Sequence, residues 1–175
     1  MHTLKVFERF GPTMEIILVL PQEHHNLWSG LCIEHGFTIH HRVVTGGQTR
    51  FQSVKNGLSV ISGEGIVFIH DGVRPLVSEA TLQRCLDTAL QYGNAIPAVP
   101  VGESVRWSDG TSSHPIDRNN FFLVQTPQTF QISLIKNAYQ QEESPDFTDD
   151  ASVLEKTRET IRLVEGNRDN IKITW

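Results

Sequence analysis

The chain is short of cysteine: Cys32 and Cys85 are the two cysteines in 175 residues, with no C-x-x-C and no paired histidine spacing. That excludes a disulfide framework and makes a reducing cytoplasm the expected setting. Positive charge is not in excess, because 15 Lys and Arg stand against 20 Asp and Glu, a net charge of −5. Nucleic acid and anionic membrane are therefore not expected partners, and any bound anion has to be gripped by local cations. Long apolar runs are missing too. The longest, Ile16 to Leu20, cannot cross a bilayer. The opening Met1 to Phe10 carries Lys5, Glu8 and Arg9 and does not read as a secretory signal. No N-x-S/T acceptor, G-x-S-x-G, H-E-x-x-H, Walker A or G-x-G-x-x-G sequence occurs. What is present is an ordinary globular composition, 38% apolar with 13 glycines, enough to bury a core as one domain over 1–175.

Helices and strands alternate along it. His2 to Phe10 has Leu4, Phe7 and Val6, Phe10 at helical spacing and stops at Gly11-Pro12. Met14 to Leu20 reads as a buried strand and Glu23 to His35 as a helix with Leu27, Trp28, Leu31 and Cys32 on one face. Thr38 to Val44 is strand-like, and Phe51, Val54, Leu58 and Ile61 form the next helical stripe. Gly65 to His70 is a short apolar strand. Ser78 can cap a helix with Leu82, Leu86, Ala89 and Leu90 as its core face and Gly93 at its end. Strands over Ala95 to Val101 and Phe121 to Thr126 follow, then helices over Gln131 to Gln141 and Asp149 to Lys156, the latter capped by Thr148. Thr160 to Glu165 and Asn170 to Thr174 read as late strands. Such alternation implies an α/β fold with a mostly parallel sheet and helices on both faces. The exception is 103–118, which has no helical stripe and carries the turn signal Ser108-Asp109-Gly110-Thr111. It reads as a protruding β-arm, too thinly apolar to bury itself and suited to a partner surface, hence to a dimer.

Ligands of open α/β sheets sit beyond the carboxyl ends of the strands. Those ends hold Thr45-Gly46-Gly47-Gln48-Thr49-Arg50, Asp71-Gly72-Val73-Arg74-Pro75 and Thr126-Pro127-Gln128. A Gly-Gly leading into a helix offers either a nest of N–H groups for phosphate or a plain tight turn. Asp71 can hold Mg²⁺, which takes one or two carboxylates plus phosphate oxygens, or can close an Asx-turn. Arg74 reads as facing an anion or supporting its loop rather than pairing with Asp71. Arg50 reads as anion-facing or as a solvated first-turn residue. Asp117 can orient Arg118 through a local ion pair, and Trp28 and Trp107 read as packing residues. The eight histidines form no ligand set.

Six segments in order carry a resemblance. They are Gly46-Gly47-x-x-Arg50-x-x-Ser53-Val54-x-x-Gly57, His70-Asp71-x-x-Arg74-Pro75, Asp117-Arg118, Gln125-Thr126-Pro127-Gln128-x-Phe130, Thr148-Asp149-Asp150-Ala151-Ser152 and Val164-Glu165-Gly166-x-x-x-Asn170-Ile171-Lys172-Ile173-Thr174. This succession resembles the 2-C-methyl-D-erythritol 4-phosphate cytidylyltransferases, over essentially the whole chain. The resemblance implies a Rossmann-like fold, a homodimer clasped through the β-arm, and transfer of CMP from CTP to the sugar-alcohol phosphate with release of pyrophosphate. It implies that Gly46, Gly47 and Ser53 hold the cytidine. Asp71 would bind Mg²⁺ and substrate hydroxyls with Arg74 beside it. Ser104, Thr126 and Lys172 would reach the polyol phosphate or the attacked phosphorus, and Arg118 would cross from a partner's arm. Asp71, Arg74, Arg118 and Lys172 are thus the expected catalytic set.

Two departures go with it. The family's glycine-rich triphosphate loop and first strand would precede Met1, and its closing helix would follow Trp175. The chain is therefore expected to bind CTP poorly and turn over slowly, with a central sheet position left empty. Glu103 stands where the family usually has Asp. The competing readings are a ribitol 5-phosphate cytidylyltransferase and a non-catalytic remnant that only dimerises.

Overall fold

A computed structural model describes residues 1–174. The order is α1 (His2–Phe10), β1 (Ile17–Leu20), a 3₁₀ turn (Gln22–His24), α2 (His25–Glu34), β2 (Arg42–Thr45), α3 (Arg50–Ser59), β3 (Ile66–Ile69), α4 (Glu79–Tyr92), β4 (Asn94–Pro100), β5 (Arg106–Ser108), β6 (Ser113–Pro115), β7 (Phe122–Val124), β8 (Gln128–Gln131), α5 (Ile132–Ala138), α6 (Asp150–Glu155) and β9 (Leu163–Glu165). The fold is α/β.

Local signals set several ends, those at Ser78 and Gly93 as expected. The Thr49 hydroxyl accepts from Gln52 N–H at the start of α3, and that of Ser78 accepts from Thr81 N–H at the start of α4. Gly93 closes α4 with φ 88°, a conformation that side chains with a Cβ resist. At α6 the cap is Asp149 rather than Thr148, in a reciprocal capping box with Ser152. The core face of α4 is Thr81, Leu82, Cys85 and Ala89, while Leu90 is 60% exposed, so the expected stripe is rotated by part of a turn. Burial pushes the Cys85 thiol up to about 11, which marks a core residue and not a reactive one.

Pairing is mixed rather than mostly parallel. β1 and β2 form a parallel pair of their own. The second sheet runs β3-β8-β4-β7, with β9 parallel to β4. β8 lies antiparallel to both β3 and β4, so those two strands still point the same way. The strand β8 (Gln128–Gln131) lies between an expected strand and an expected helix, overlapping the helix only at Gln131, and the expected strand at Asn170–Thr174 is irregular chain. Among the described residues β1 has no hydrogen-bonded neighbour besides β2, and β3 none besides β8.

Helix α3 covers both sheets. A Cβ on Gly57 would lie 3.0 Å from Val19 of β1, while Phe51 and Leu58 pack in the main core with Val67 and Ile69 of β3. Phe130, Ile135, Tyr139, Val153 and Leu154 fill that core at 0–1% exposure, each contributing roughly 1.5–3 kcal/mol of apolar burial. On the opposite side Val6, Phe7 and Phe10 of α1 pack with Phe68, Val77 and Leu82. Segment 103–118 forms the expected hairpin, β5 against β6 around Asp109-Gly110, with every residue of its two strands exposed.

Candidate active site

The segment after β3 is held in a ring of hydrogen bonds. His70 Nε2 lies 2.9 Å from the Arg74 carbonyl. A carbonyl only accepts, so Nε2 carries the proton and Nδ1 is an acceptor. The Thr126 hydroxyl, 3.1 Å from Nδ1, then donates to it and accepts from Asp71 N–H at 3.1 Å. Burial pulls the His70 ring down to about 4, against the pull of its bond to Arg74 and of the Asp71 charge. The ring is neutral at pH 7. Thr126 is 5% exposed and acts on Asp71 from behind. The fully buried Asn170 completes the ring, donating from Nδ2 to the Thr126 carbonyl at 2.8 Å and accepting Arg74 Nη1 at its own carbonyl at 2.7 Å.

Asp71 Oδ2 meets Lys172 Nζ at 3.1 Å and Arg74 Nε at 3.4 Å. The expectation that Arg74 avoids Asp71 is therefore corrected: a turn closed by Arg74 N–H on the Asp71 carbonyl brings the two together. Burial alone would raise the Asp71 carboxyl. The hydrogen bond and charge of Lys172, with the charges of Arg50 and Arg74, outweigh it and hold the group below its ordinary value. The result is an ionised carboxylate flanked by cations, at a sheet end where polyphosphate charge could be neutralised.

At the end of β2, Gly46 and Gly47 lie against the first turn of α3. A Cβ on Gly46 would stand 3.0 Å from Ser53 Oγ, and one on Gly47 would clash with Gln52 at 2.3 Å. Gly47 N–H donates to Ser53 Oγ at 3.1 Å and Gln48 N–H to Gln52 Oε1 at 3.0 Å. Two N–H groups of the expected phosphate nest are thus spent within the loop. The result is a cradle in which both glycines pack onto the first turn of α3 and the Ser53 hydroxyl is held by the loop, with fewer free N–H groups than a phosphate nest offers.

Arg50 keeps 39% of its side chain exposed, but it does not simply reach into water. Its guanidinium is bidentate on Asp150, at 2.8 and 2.6 Å, and Tyr139 Oη donates to the same carboxylate at 2.6 Å. Burial works against the Arg50 charge, and Asp150 outweighs it and holds the arginine above its ordinary value. Burial and Asp150 together raise the Tyr139 phenol. Sequence reasoning missed this cluster, and also His70 and Asn170 as braces. An acid in the first turn of a helix has a ready explanation in the helix dipole, so nothing marked Asp150 as buried.

Ser104 and Arg118 share an open cleft of about 300 Å³ at the base of the arm with Val105 and Ile116. Arg118 Nη1 donates to the Gly102 carbonyl at 2.6 Å. Asp117 accepts from Asn119 N–H and forms no ion pair with Arg118 among the described residues. One copy of the chain therefore gathers Asp71, Arg74, Thr126 and Lys172 in one place and Gly46, Gly47 and Ser53 in a second. Ser104 and Arg118 stand apart on the arm.

The family model of 2-C-methyl-D-erythritol 4-phosphate cytidylyltransferase matches residues 1–175. The chain belongs to this family. The enzyme of that name from Bacteroides fragilis is 52% identical over 174 residues, 99% of this chain and 80% of the relative. That from Bacillus velezensis is 37% identical over 99% of this chain and 76% of its own length. Among solved structures, the cytidylyltransferase of Thermus thermophilus superposes with a TM-score of 0.81 at 28% identity, over 99% of this chain and 83% of its own. The 4-diphosphocytidyl-2C-methyl-D-erythritol synthase of Anaerococcus prevotii gives 0.85 at 28%, over 99% and 79%. Membership of the cytidylyltransferase family makes the chain a nucleotidyltransferase of Rossmann-like α/β fold. Among the described residues no helix is long and apolar enough to cross a membrane.

Proposed function

We propose that the chain transfers the cytidylyl group of CTP to 2-C-methyl-D-erythritol 4-phosphate. A phosphate oxygen of the acceptor bonds to the α-phosphorus, the α–β anhydride breaks, and its electron pair leaves with pyrophosphate. The observation that carries this reading is the ionised Asp71 between Arg74 and Lys172, braced from behind by Thr126 and His70, in a chain of this family. Nucleotidyl transfer needs two polyanions aligned and the developing charge neutralised, with little covalent help. Lys172 and Arg74 supply cations to the reacting phosphates, and Thr126 contributes by fixing the Asp71 backbone. Gly46, Gly47 and Ser53 receive the cytosine and ribose.

Asp71 is the residue that would hold Mg²⁺. Its Oδ2 is engaged by Lys172 and Arg74, whereas Oδ1 carries no hydrogen bond among the described residues. One carboxylate oxygen completed by phosphate and water suits this ion. When bound, Mg²⁺ supplies charge neutralisation to the triphosphate. Ser104 and Arg118 complete the site from the arm of a second copy, in a homodimer working in the cytoplasm. The reading is supported by the lack of any hydrogen bond or ion pair from Ser104 or Arg118 to Asp71 among the described residues, and by the exposed arm beside Phe121, Phe122 and Leu123, which are 49%, 47% and 55% exposed.

Pyrophosphate release is the test. It is expected to require CTP, Mg²⁺ and methylerythritol 4-phosphate together, and Asp71→Asn should lower it by about a hundredfold or more. Release with ribitol 5-phosphate and none with methylerythritol 4-phosphate would overturn the substrate assignment. Mixing Asp71→Asn chains with Arg118→Ala chains should restore activity that neither has alone, and no restoration would remove the shared site.

A further inference from the structure

Arg50 opens α3 directly after the Gly46–Thr49 loop, and Asp150 opens α6 directly after its Asp149 cap. Asp150 is fully buried and has three donors, two from Arg50 and one from Tyr139. The connection continues. Gln128 donates from Nε2 to Asp149 at 2.7 Å, and its Oε1 accepts Ala151 N–H at 2.8 Å. Gln128 is two residues past Thr126, whose hydroxyl holds Asp71 N–H. An unbroken line of hydrogen bonds and short covalent links thus runs from the glycine cradle to Asp71, with the Arg50–Asp150 pair as its one charged link.

Two further features point to positioning rather than to stability alone. The pair is buried only at its Asp150 end, with the Arg50 side chain 39% exposed, and such an ion pair adds little to stability beyond what apolar residues of the same volume give. The cradle is also locked onto the turn that carries Arg50. Gly47 has no room for a Cβ beside Gln52, and Gly47 and Gln48 both donate to side chains of that turn. A roll of α3 about its axis therefore moves the cradle. The other polar tether of the turn to the α5–α6 region is an exposed one, Gln52 Nε2 on Glu143 at 3.0 Å.

We propose that the Arg50–Asp150 pair, braced by Tyr139, is a positioning element that sets the Gly46–Ser53 cradle relative to Asp71 and so fixes the alignment of the nucleotide with the acceptor. This rests on the reading of the cradle as the nucleotide side of the site. Loosening the pair shifts the cradle and leaves the Asp71–Arg74–Lys172 group in place, so nucleotide binding suffers and acceptor binding does not.

The decisive variant replaces the whole polar cluster by apolar residues of similar size, Arg50→Met with Asp150→Leu and Tyr139→Phe, which leaves no buried group unpaired. The KM for CTP is expected to rise about tenfold with the KM for the polyol phosphate within about twofold. Amide exchange at Gly47 and Gln48 should quicken about tenfold while that at Ile96 and Ala98 in β4 stays at the parent rate. A folded triple variant with parental KM for CTP and parental exchange at Gly47 and Gln48 would overturn the proposal. Should the triple variant not fold, Arg50→Lys keeps one charge and loses the two-point grip. It should raise the KM for CTP at least about threefold, and an unchanged KM would again refute the idea. If the parent chain uses no CTP, the reading of the function fails by itself, and the exchange rates decide the positioning claim separately.

Discussion

The two sides of α3 differ in how far they bury their apolar residues. On one side lies β4, with six consecutive buried residues from Asn94 to Val99 between neighbouring strands and beneath α4. On the other lie β1, α2 and β2, and from Phe7 to Arg50 no residue is fully buried. Composition does not explain the difference: β1 reads Ile-Leu-Val-Leu and β3 reads Ile-Val-Phe-Ile. Such runs suit strands covered on both faces and paired on both edges. Both strands are half-buried, each with one paired edge. Leu27 and Ile33 of α2 are 61% and 83% exposed. An apolar side chain contributes stability in proportion to the area that neighbours remove from water, and in the β1–β2 layer that area is only partly removed.

The largest test of that contrast is Phe130→Ala in β8, expected to cost about 3–5 kcal/mol in denaturant unfolding. A comparable loss from Val19→Ala in β1 would erase the distinction. Asp150→Ala should cost about 1–3 kcal/mol on the buried side, because it leaves the buried Tyr139 hydroxyl unmatched while the 39% exposed Arg50 can turn to water. A third test uses acid. His70 titrates near 6.5 when unfolded and at about 4 in the fold, so the unfolded chain binds the proton first. Its stabilising effect is complete above pH 6.5 and declines as the pH falls toward 4, with a slope of at most about 1.4 kcal/mol per pH unit. Chemical denaturation of the parent and of His70→Phe across that window should show a steeper slope in the parent. Amide exchange sharpens the comparison further, since β1 and β2 should open at lower free energy than β4. The smallest effect is at Ile33, where Ile33→Ser should change stability by less than about 0.5 kcal/mol.

Much of the local structure was legible. The stripe of α3, the Ser78 cap, the Gly93 terminus and the hairpin at Asp109-Gly110 depend on neighbours within a few residues, and each forms where the pattern puts it. β8 was not legible, because Gln128–Gln131 is four residues without an apolar pattern and becomes a strand through β3 on one side and β4 on the other. The converse holds for Asn170–Thr174, whose alternating apolar residues find no strand to pair with, and Ile171 and Ile173 stay 55% and 57% exposed. In the site, Asp71 and Arg74 stood out by type and position, and Lys172 through the family resemblance. Arg50 and Asp150 did not, since their partnership spans 100 residues.

The sequence by itself determined the α/β class, the family and the residue types gathered around Asp71, because turns, caps and motifs are short-range chemistry written in consecutive residues. The tertiary structure alone decided which strands pair antiparallel, which apolar runs leave water and which charges meet. Those outcomes depend on what lies across a few ångströms of space from residues far apart in the chain.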